Sequence, residues 1–550
     1  MGIFSRKDKS ARGITSKPSL TTVQSQVSLD SGSSSIKSPA GTFSSRALNR
    51  SSAGTNNTSA PNTPLSPFSP QVPKIDLPKP PDPELDPAGY LRNLAAVRER
   101  SRVITTKAVK NELKHFDVDM RKFPEVVSFV SSIIRRDYDA PFTSIPAHGR
   151  HQHFCVGGRD RIAHLLSTWE NVDSTEKCRR LIDLFLVSVL LDAGAGTQWS
   201  YKSTENGRIY RRSEGLAIAS LEMFKTGMFS GDKTSKYQVD KDGLRSLTLE
   251  QVAKGLQSKP GNEMAGLEGR TELLIRLADA LDSNKEFFGE NGRPGNMLDY
   301  LLTHPSTQAS SMPIVPLPTL WNVLMSGLAP IWPQSRTAIN GISLGDAWPC
   351  SSMPQPATAT SPTSGGPSFS PFPNTSSGGG RSGSAAAWES ILPFHKLTQW
   401  LTYSLMQPMQ QLMKIHFAGQ ELLTGLPEYR NGGLFVDLGV LTLKPDDMER
   451  GLQNYKDYCV RTGDPGIEVA PMFEPSDDLV VEWRGVTVGL LDRLCVEVNQ
   501  SLKSELAGNE LTLPQMLEAG SWKGGREIAE INRPNTKEPP ILIDSDGTVF

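Results

Sequence analysis

Two aspartates lie in apolar surroundings, where carboxylates acquire chemical roles. Asp192 ends the run LIDLFLVSVLLD, which is predicted to be a helix buried on most sides. Its carboxylate therefore falls in the last turn, where the helix dipole disfavours negative charge. Asp437 interrupts the apolar segment 433–443, which is predicted to be a buried β-strand. A buried carboxylate needs a partner, a proton or a ligand. The pattern therefore predicts two functional acids, with Arg430 or Arg484 as the alternative, purely structural partner of Asp437.

The residues after Asp192 could form one wall of a binding pocket. Gly194 and Gly196 let the backbone approach a ligand closely, and Trp199 and Tyr201 supply flat surfaces with polar tips. The alternative is that Asp192 accepts backbone hydrogen bonds from this loop while Trp199 lies in the core.

A second group of polar residues precedes and begins a predicted helix at 213–226. Ser213 is expected to cap that helix, and Glu214 lies in its first turn, where an acid is stabilising without any function. Arg211 and Arg212 could meet a phosphate together with the free N–H groups of the helix. Glu214, Arg211 and Arg212 are predicted to bind substrate, the two arginines if the substrate has a nucleotide-like phosphate.

Three histidines and a cysteine cluster in HGRHQHFCVGGRDR, namely His148, His151, His153 and Cys155. Their spacing matches neither a zinc finger nor a metalloprotease motif, and no second ligand pair follows. No metal or other cofactor is therefore expected. His153, next to a glycine turn, is predicted to contact substrate.

The C-terminal DSDGT, which contains Asp544 and Asp546, resembles the signature of the haloacid-dehalogenase phosphatases. In that fold the first aspartate follows the first strand, and the remaining strands and Mg²⁺ ligands come later in the chain. Here only a few residues follow. We therefore expect a closing strand and turn rather than a phosphatase site.

The elements that position these residues are mostly helical. Asp86 is expected to cap a first helix that has Pro87 at its first position. Apart from the strand at 433–443, the pattern predicts a mainly α-helical (α+β) single globular domain with a small β-sheet. The other predicted helices cover 123–138, 175–194, 248–256, 268–282, 296–303, 388–424, 446–461 and 476–499.

Two tracts lack apolar periodicity and are predicted to be disordered: residues 1–85 and an insertion at 351–387. They leave one globular domain, 88–550. Ser-Pro and Thr-Pro pairs in the tail are plausible phosphorylation sites. These pairs begin at Ser38, Thr63, Ser66 and Ser69.

Composition excludes several classes of protein. With 58 Lys and Arg against 59 Asp and Glu, the net charge of −1 gives no reason to expect nucleic-acid binding. The five cysteines contain no CxxC pair and are typical of reduced cytoplasmic thiols. The longest apolar run, of about 11 residues, is too short to span a membrane.

Five long motifs occur from about residue 88 to the C-terminus, outside both low-complexity tracts: HFCVGGRDR, LLDAGAGTQWSY, RSEGLAIASLEMF, GLPEYRNGGLFVDLGVL and LVVEWRGVTVGLLDRL. In sequence and order they resemble the fungal uracil catabolism protein 4 family. The resemblance implies a role in a fungal route that uses uracil as a nitrogen source. In that route uracil becomes a nucleotide, the ring is opened and urea is eventually released.

A route through a ribosylated, ring-opened pyrimidine must break a ribose–nitrogen bond, which requires carboxylates near the anomeric carbon. The segment LFVDLGVL is similar to a strand with a central aspartate in the queuosine-salvage nucleoside hydrolases. We therefore expect an N-ribosyl hydrolase, with Asp437 at the ribose and water, Asp192 at the leaving urea and Trp199 in the pocket wall. Arg211 or Arg212 would hold a 5′-phosphate. The alternatives are an amide hydrolase or lyase acting on the opened ring, and a non-catalytic regulator or scaffold.

Overall fold

The computed structural model describes residues 75–192, 199–333, 335–355, 387–467 and 469–544. Most of the tail predicted to be disordered, most of the predicted insertion, Gly194, Gly196 and Asp546 lie outside these residues.

Helices make up most of the described chain, as predicted. Asp86 caps the first one through a hydrogen bond from the Gly89 N–H, with Pro87 at the first helical position. The helices are α1 Pro87–Arg92, α2 Leu94–Val109, α3 Phe123–Asp137, α4 Arg150–Phe154, α5 Arg161–Ser167, α6 Ser174–Leu190, α7 Arg212–Lys225, α8 Lys241–Arg245, α9 Leu249–Gly255, α10 Leu267–Ser283, α11 Lys285–Phe288, α12 Met297–Thr303, α13 Leu317–Gly327, α14 Lys396–Met413, α15 Tyr429–Asp437, α16 Pro445–Thr462, α17 Asp478–Ser501, α18 Leu513–Met516 and α19 Trp522–Asn532.

The strands are short, and among the described residues they form six separate two-stranded ladders rather than one small sheet. Four ladders are antiparallel (β1–β10, β2–β3, β5–β6 and β7–β8), and two are parallel (β4–β9 and β11–β12). The strands are β1 Phe116–Val118, β2 Tyr201–Lys202, β3 Ile209–Tyr210, β4 Ile314–Pro316, β5 Ala338–Ile339, β6 Ile342–Ser343, β7 Ala347–Pro349, β8 Ile391–Pro393, β9 His416–Ala418, β10 Leu441–Leu443, β11 Met472–Phe473 and β12 Leu542–Ile543.

Helix α6 lies at the centre of the core. Asp173 caps it, and every residue from Leu181 to Leu190 is buried, so the helix is surrounded by protein on all sides. Its most extensive neighbour is α14. The one acid in its apolar run, Asp183, pairs with Arg293 at 2.7 Å. The prediction of a buried helix here is confirmed, although the helix ends at Leu190.

The prediction of a strand at 433–443 is wrong. Residues up to Asp437 form α15, and only Leu441–Leu443 are extended, as β10. The Glu428 carboxylate caps α15 at its start, and Gly439 turns the chain with φ of 74°. An apolar run without alternation fits either a buried strand or a buried helix, so periodicity could not decide between them.

The helix predicted at 388–424 is also too long. Strands β8 and β9 flank a shorter helix, α14, which is bounded by His395 and Lys414, both with left-handed backbone at φ 47° and 56°. The predicted closing strand before Asp544 exists as β12, which pairs with β11. No helix among the described residues is long and apolar enough to cross a membrane.

Candidate functional site

A cavity of about 710 Å³ lies where several helix termini converge. Helices α7, α14 and α15 begin at its wall. Helix α7 has no side-chain cap, so its first N–H groups make this part of the cavity favourable for negative charge. The main lining residues are His148, His153, Asp192, Trp199, Arg211, Arg212, Ser213, Glu214, Lys396, Trp400, Glu428, Tyr429, Arg430, Trp522, Arg526 and part of the segment 533–544.

Asp192 follows the C-terminus of α6 and lines this cavity. Its Oδ2 pairs with Nη1 of the fully buried Arg150 at 2.8 Å. Its Oδ1 is buried and has no hydrogen-bond partner within the described parts of the chain. Burial alone would raise the pKa of Asp192, but Arg150 and the neighbouring His153 and Lys396 hold that pKa below its ordinary value. The carboxylate therefore stays ionised at neutral pH, with one oxygen available to a ligand.

Arg150 is held rigidly by further contacts. Its Nε donates to Ser188 Oγ at 2.8 Å and its Nη2 to the Ser188 carbonyl at 3.0 Å. Its Nη1 lies 3.0 Å from Nδ1 of His153, which must accept that hydrogen bond because a guanidinium cannot. The arginine thus orients Asp192 and His153 together.

His153 is a neutral side chain in this setting. Burial, followed by the charge of Arg150, lowers its pKa to about 4. Since Nδ1 accepts from Arg150, Nε2 carries the ring proton. The ring lies between Trp400 and Trp522, with centroid distances of 5.7 and 5.4 Å. The predicted substrate-binding residue therefore belongs to an aromatic wall of the cavity.

Glu214 also lines the cavity, where it pairs with Arg526. The Arg526 guanidinium stacks over Trp522 at 4.9 Å. Burial would raise the pKa of Glu214, but Arg526 and His153 lower it below its ordinary value. The predicted cap at Ser213 is wrong, because α7 starts one residue earlier, with Arg211 at the N-cap position and no side-chain cap.

The two arginines before α7 have different roles. Arg212 donates to the carbonyls of Thr536 and Lys537 and pairs with Glu538 at 2.9 Å, so it anchors the C-terminal segment. Arg211 is exposed at the cavity, and within the described ranges its side chain has no hydrogen-bond or ion-pair partner. Of this pair, Arg211 is the residue free to meet an anion.

Two predicted residues do not line the cavity. The Tyr201 hydroxyl donates to Glu222 at 3.0 Å, and burial raises the pKa of the phenol. Asp437 ends α15 and binds Arg533 through both oxygens, at 2.9 and 2.5 Å. The partner of Asp437 is thus neither Arg430 nor Arg484. Trp199 does line the cavity, anchored by its Nε1 donating to the Leu256 carbonyl at 2.8 Å.

The structure therefore brings together six of the eight predicted site residues and leaves out Asp437 and Tyr201. Other site residues were not predicted from the sequence, among them Arg150, which pairs with Asp192, and Lys396 and Glu428, which line the cavity. Arg150 and Glu428 lie within segments that drew attention for other residues. Lys396 lies in no motif, so no local signal could have found it.

One group outside the cavity lining could hold a metal ion. His151, Cys155 and Asp160 place one ligand atom each within 4.8 Å of one another. His148, grouped with them by sequence, instead pairs with Glu518 at 2.6 Å.

Comparisons with known proteins give a consistent result. A family model described as "Protein of unknown function (DUF1688)" matches residues 90–550. "Uracil catabolism protein 4" of Lachancea kluyveri is 42% identical over 471 residues, which is 84% of this chain and 99% of the relative. "Protein urg3" of Schizosaccharomyces pombe is 43% identical over 462 residues, 84% of this chain and 98% of the relative.

Proposed function

The chain belongs to the family described as "Protein of unknown function (DUF1688)", and we propose that it acts in uracil catabolism as an N-ribosyl hydrolase. The substrate is a ring-opened uracil nucleoside or nucleotide of the ribosylurea type, and the products are the sugar and urea. The name of the Lachancea kluyveri relative supports the pathway. The chemistry of the cavity supports the reaction.

The carboxylate of Asp192 carries this proposal. Cleavage of a ribose–nitrogen bond passes through a sugar cation, which a fixed and ionised carboxylate stabilises. Arg150 holds one oxygen of Asp192 and keeps the acid deprotonated, while Oδ1 is buried at the cavity with no partner among described residues. A sugar hydroxyl or the attacking water would supply the hydrogen bond that this oxygen lacks.

This assignment differs from the sequence-based expectation. Asp437 was expected at the ribose and Asp192 at the leaving urea. Because Asp437 is occupied by Arg533 and does not line the cavity, the role at the ribose passes to Asp192. No chemical step is assigned to Asp437.

The walls suit a small polar ligand with a flat portion. The cavity of about 710 Å³ is in the range of ordinary small-molecule sites. Trp400 and Trp522 can pack against sugars and planar amides. Trp199 borders the cavity but is only 1% exposed and belongs to the core, as in the alternative interpretation of the sequence. Arg211, at the start of α7, can bind a 5′-phosphate with the help of the helix N–H groups.

The test is urea release by the purified protein from ribosylurea, ribosylurea 5′-phosphate, uridine and uridine monophosphate. We expect release from at least one ribosylurea. We expect Asp192→Asn to lower kcat/KM roughly 100- to 1000-fold, as for loss of one transition-state contact.

Asp437→Asn is the matched control. Both aspartates are paired with an arginine, and their side chains are 7% and 5% exposed, but only Asp192 lines the cavity. We expect the control to lose far less activity. The opposite order would restore the sequence-based assignment. Ammonia release in place of urea would favour an amide hydrolase, and silence of folded protein on all four compounds would favour a regulator or scaffold.

A further inference from the structure

The backbone that presents Lys396 to the cavity is unusually constrained. Lys396 is the first residue of α14, and its N–H donates to Asp346 Oδ2 at 2.9 Å. The preceding N–H groups of Phe394 and His395 donate to the Asp346 carbonyl at 2.9 and 3.2 Å. His395 has φ of 47°, a left-handed conformation that costs a non-glycine residue free energy and recurs at functional sites.

A buried ion pair stabilises this turn. Both oxygens of Asp346 receive hydrogen bonds from the Arg484 guanidinium, at 2.8 and 2.7 Å, and both side chains are almost fully buried. His395 is tied to the Leu91 carbonyl through Nε2 at 2.7 Å. Together these hydrogen bonds hold the backbone next to Lys396 in place. The point from which the Lys396 side chain leaves the backbone is therefore held in place by the fold.

The Lys396 ammonium group has no acceptor from the described parts of the chain. Lys396 lines the cavity with Asp192 and Glu428, yet no described residue forms a hydrogen bond or an ion pair with its Nζ. The other cations of the lining, apart from the exposed Arg211, have partners: the arginines at 212, 430, 526 and 533, and Lys537. An ammonium group has three donors, so at the wall of the cavity and without a protein acceptor among the described residues it can donate to a ligand.

Its surroundings also suit proton transfer. Burial lowers the pKa of Lys396, while Glu428 and Asp192 act against this effect without cancelling it. A proton donor works best when its pKa lies near the working pH, and lysine is readily shifted in that direction.

The other titratable groups of the lining fit the role of proton donor less well. His153 has a pKa of about 4 and is neutral, and burial raises the pKa of Tyr429 to about 12. Asp192 and Glu214 are held ionised by arginines. Burial raises the pKa of Glu428, but both of its oxygens already accept hydrogen bonds, from the N–H groups of Arg430 and Asn431 at 2.9 and 2.6 Å, as the cap of α15.

Resting on the proposed function, we infer that Lys396 is a catalytic residue that donates a proton from Nζ to the departing nitrogen of the N-ribosyl amide. The bond between the anomeric carbon and nitrogen breaks, its electron pair goes to nitrogen, and that nitrogen takes the ammonium proton. Water adds to the anomeric carbon and yields its proton to Asp192. Proton return from Asp192 to Lys396 restores the enzyme, so the net reaction consumes one water.

The experiment compares two leaving groups in wild type and in Lys396→Met. Urea nitrogen is a poor leaving group that needs a proton, whereas the 4-nitrophenolate of 4-nitrophenyl riboside does not. We expect Lys396→Met to lower kcat on ribosylurea roughly 100- to 10,000-fold, and to lower kcat on the nitrophenyl riboside much less. Asp192→Asn should lose activity on both.

Two further variants separate chemistry from structure. Lys396→Arg keeps the charge but not a transferable proton, so we expect KM to be retained, kcat on ribosylurea to fall and the basic limb of the pH profile to disappear. Lys444→Met is the matched control, since Lys444 donates to the Leu113 carbonyl at 2.7 Å outside the cavity lining. It should leave kcat on both substrates unaltered.

The outcomes distinguish a failure of the role of Lys396 from a failure of the proposed function. Wild-type turnover of ribosylurea with equal losses on both substrates in Lys396→Met, or with no loss, overturns the role of Lys396 and leaves the proposed function standing. Full activity of Lys396→Arg overturns it as well. A wild-type protein that is folded and silent on ribosylurea overturns the proposed function and this inference together.

Discussion

Replacing Arg150 with methionine should lower both the free energy of unfolding and the activity, because both depend on the carboxylate of Asp192, with which Arg150 pairs. Arg150 is fully buried and pairs with Asp192 at 2.8 Å. Removing one member of a buried ion pair typically costs about 3–5 kcal/mol, because the remaining charge is left uncompensated. Methionine has a similar volume and no donors, so the loss reports mainly on charge and hydrogen bonds.

The sign of the pH dependence follows from the pKa of Asp192. In the wild type this pKa is lowered, so the carboxylate contributes stability above its unfolded-state pKa and loses it as pH falls through the folded-state value. Without Arg150, burial is no longer opposed by that charge, and the pKa of Asp192 should rise. The folded variant then takes up a proton as pH falls, so its deficit should shrink between about pH 7 and about pH 5.

Urea denaturation of the two single variants and of the double variant Arg150→Met/Asp192→Asn measures this coupling. We expect the double variant to be more stable than the sum of the single losses indicates, since no charge is left unpaired. We also expect the acidic limb of kcat/KM in Arg150→Met to move to higher pH. A deficit that is equal at both pH values, with additive free energies, would show that Arg150 does not compensate the charge of Asp192.

Three further predictions concern other parts of the molecule. His115 lies between Asp447 and Asp478 at 2.9 and 2.8 Å, and although burial acts against it, their hydrogen bonds raise its pKa from 6.5 to about 9. We expect this raised pKa to contribute about 1 to 3 kcal/mol to the free energy of unfolding, present below pH 6.5 and lost as pH rises through about 9. Denaturation at several pH values should show that His115→Gln lacks this contribution. A Cβ at Gly432 would lie 2.8 Å from an indole of α17, so Gly432→Ala should lower the free energy of unfolding by about 1–3 kcal/mol, and an unchanged midpoint would contradict the packing described for α15. Arg211→Gln should raise KM for ribosylurea 5′-phosphate without changing KM for ribosylurea. Equal effects on the two KM values would exclude a phosphate contact.

Much of the helical framework was predictable because its signals are local. Asp86 caps α1, and the apolar run of α6 predicted a helix buried on most sides. The spacing in α16 and α17 likewise placed those helices within a few residues of their observed bounds. Caps and periodicity act within a few turns, so a short stretch of chain contains the information.

The segment 433–443 shows where local signals fail. Its apolar residues fit a strand or a helix equally well, and the choice was made by packing against α17 and α19. The partner of Asp437 comes from Arg533, about a hundred residues later in the chain. No property of the segment itself could have named that arginine.

The candidate site likewise has some features that its sequence predicts and others that it does not. The sequence by itself determined that Asp192, in an apolar setting, would need a compensating partner or ligand, because a buried charge is costly in any fold. Only the tertiary structure decided that Arg150 holds one of its oxygens and that Lys396, some two hundred residues away, shares its cavity. Convergence of the N-termini of α7, α14 and α15 on one volume depends on long-range helix packing, which sequence spacing does not encode.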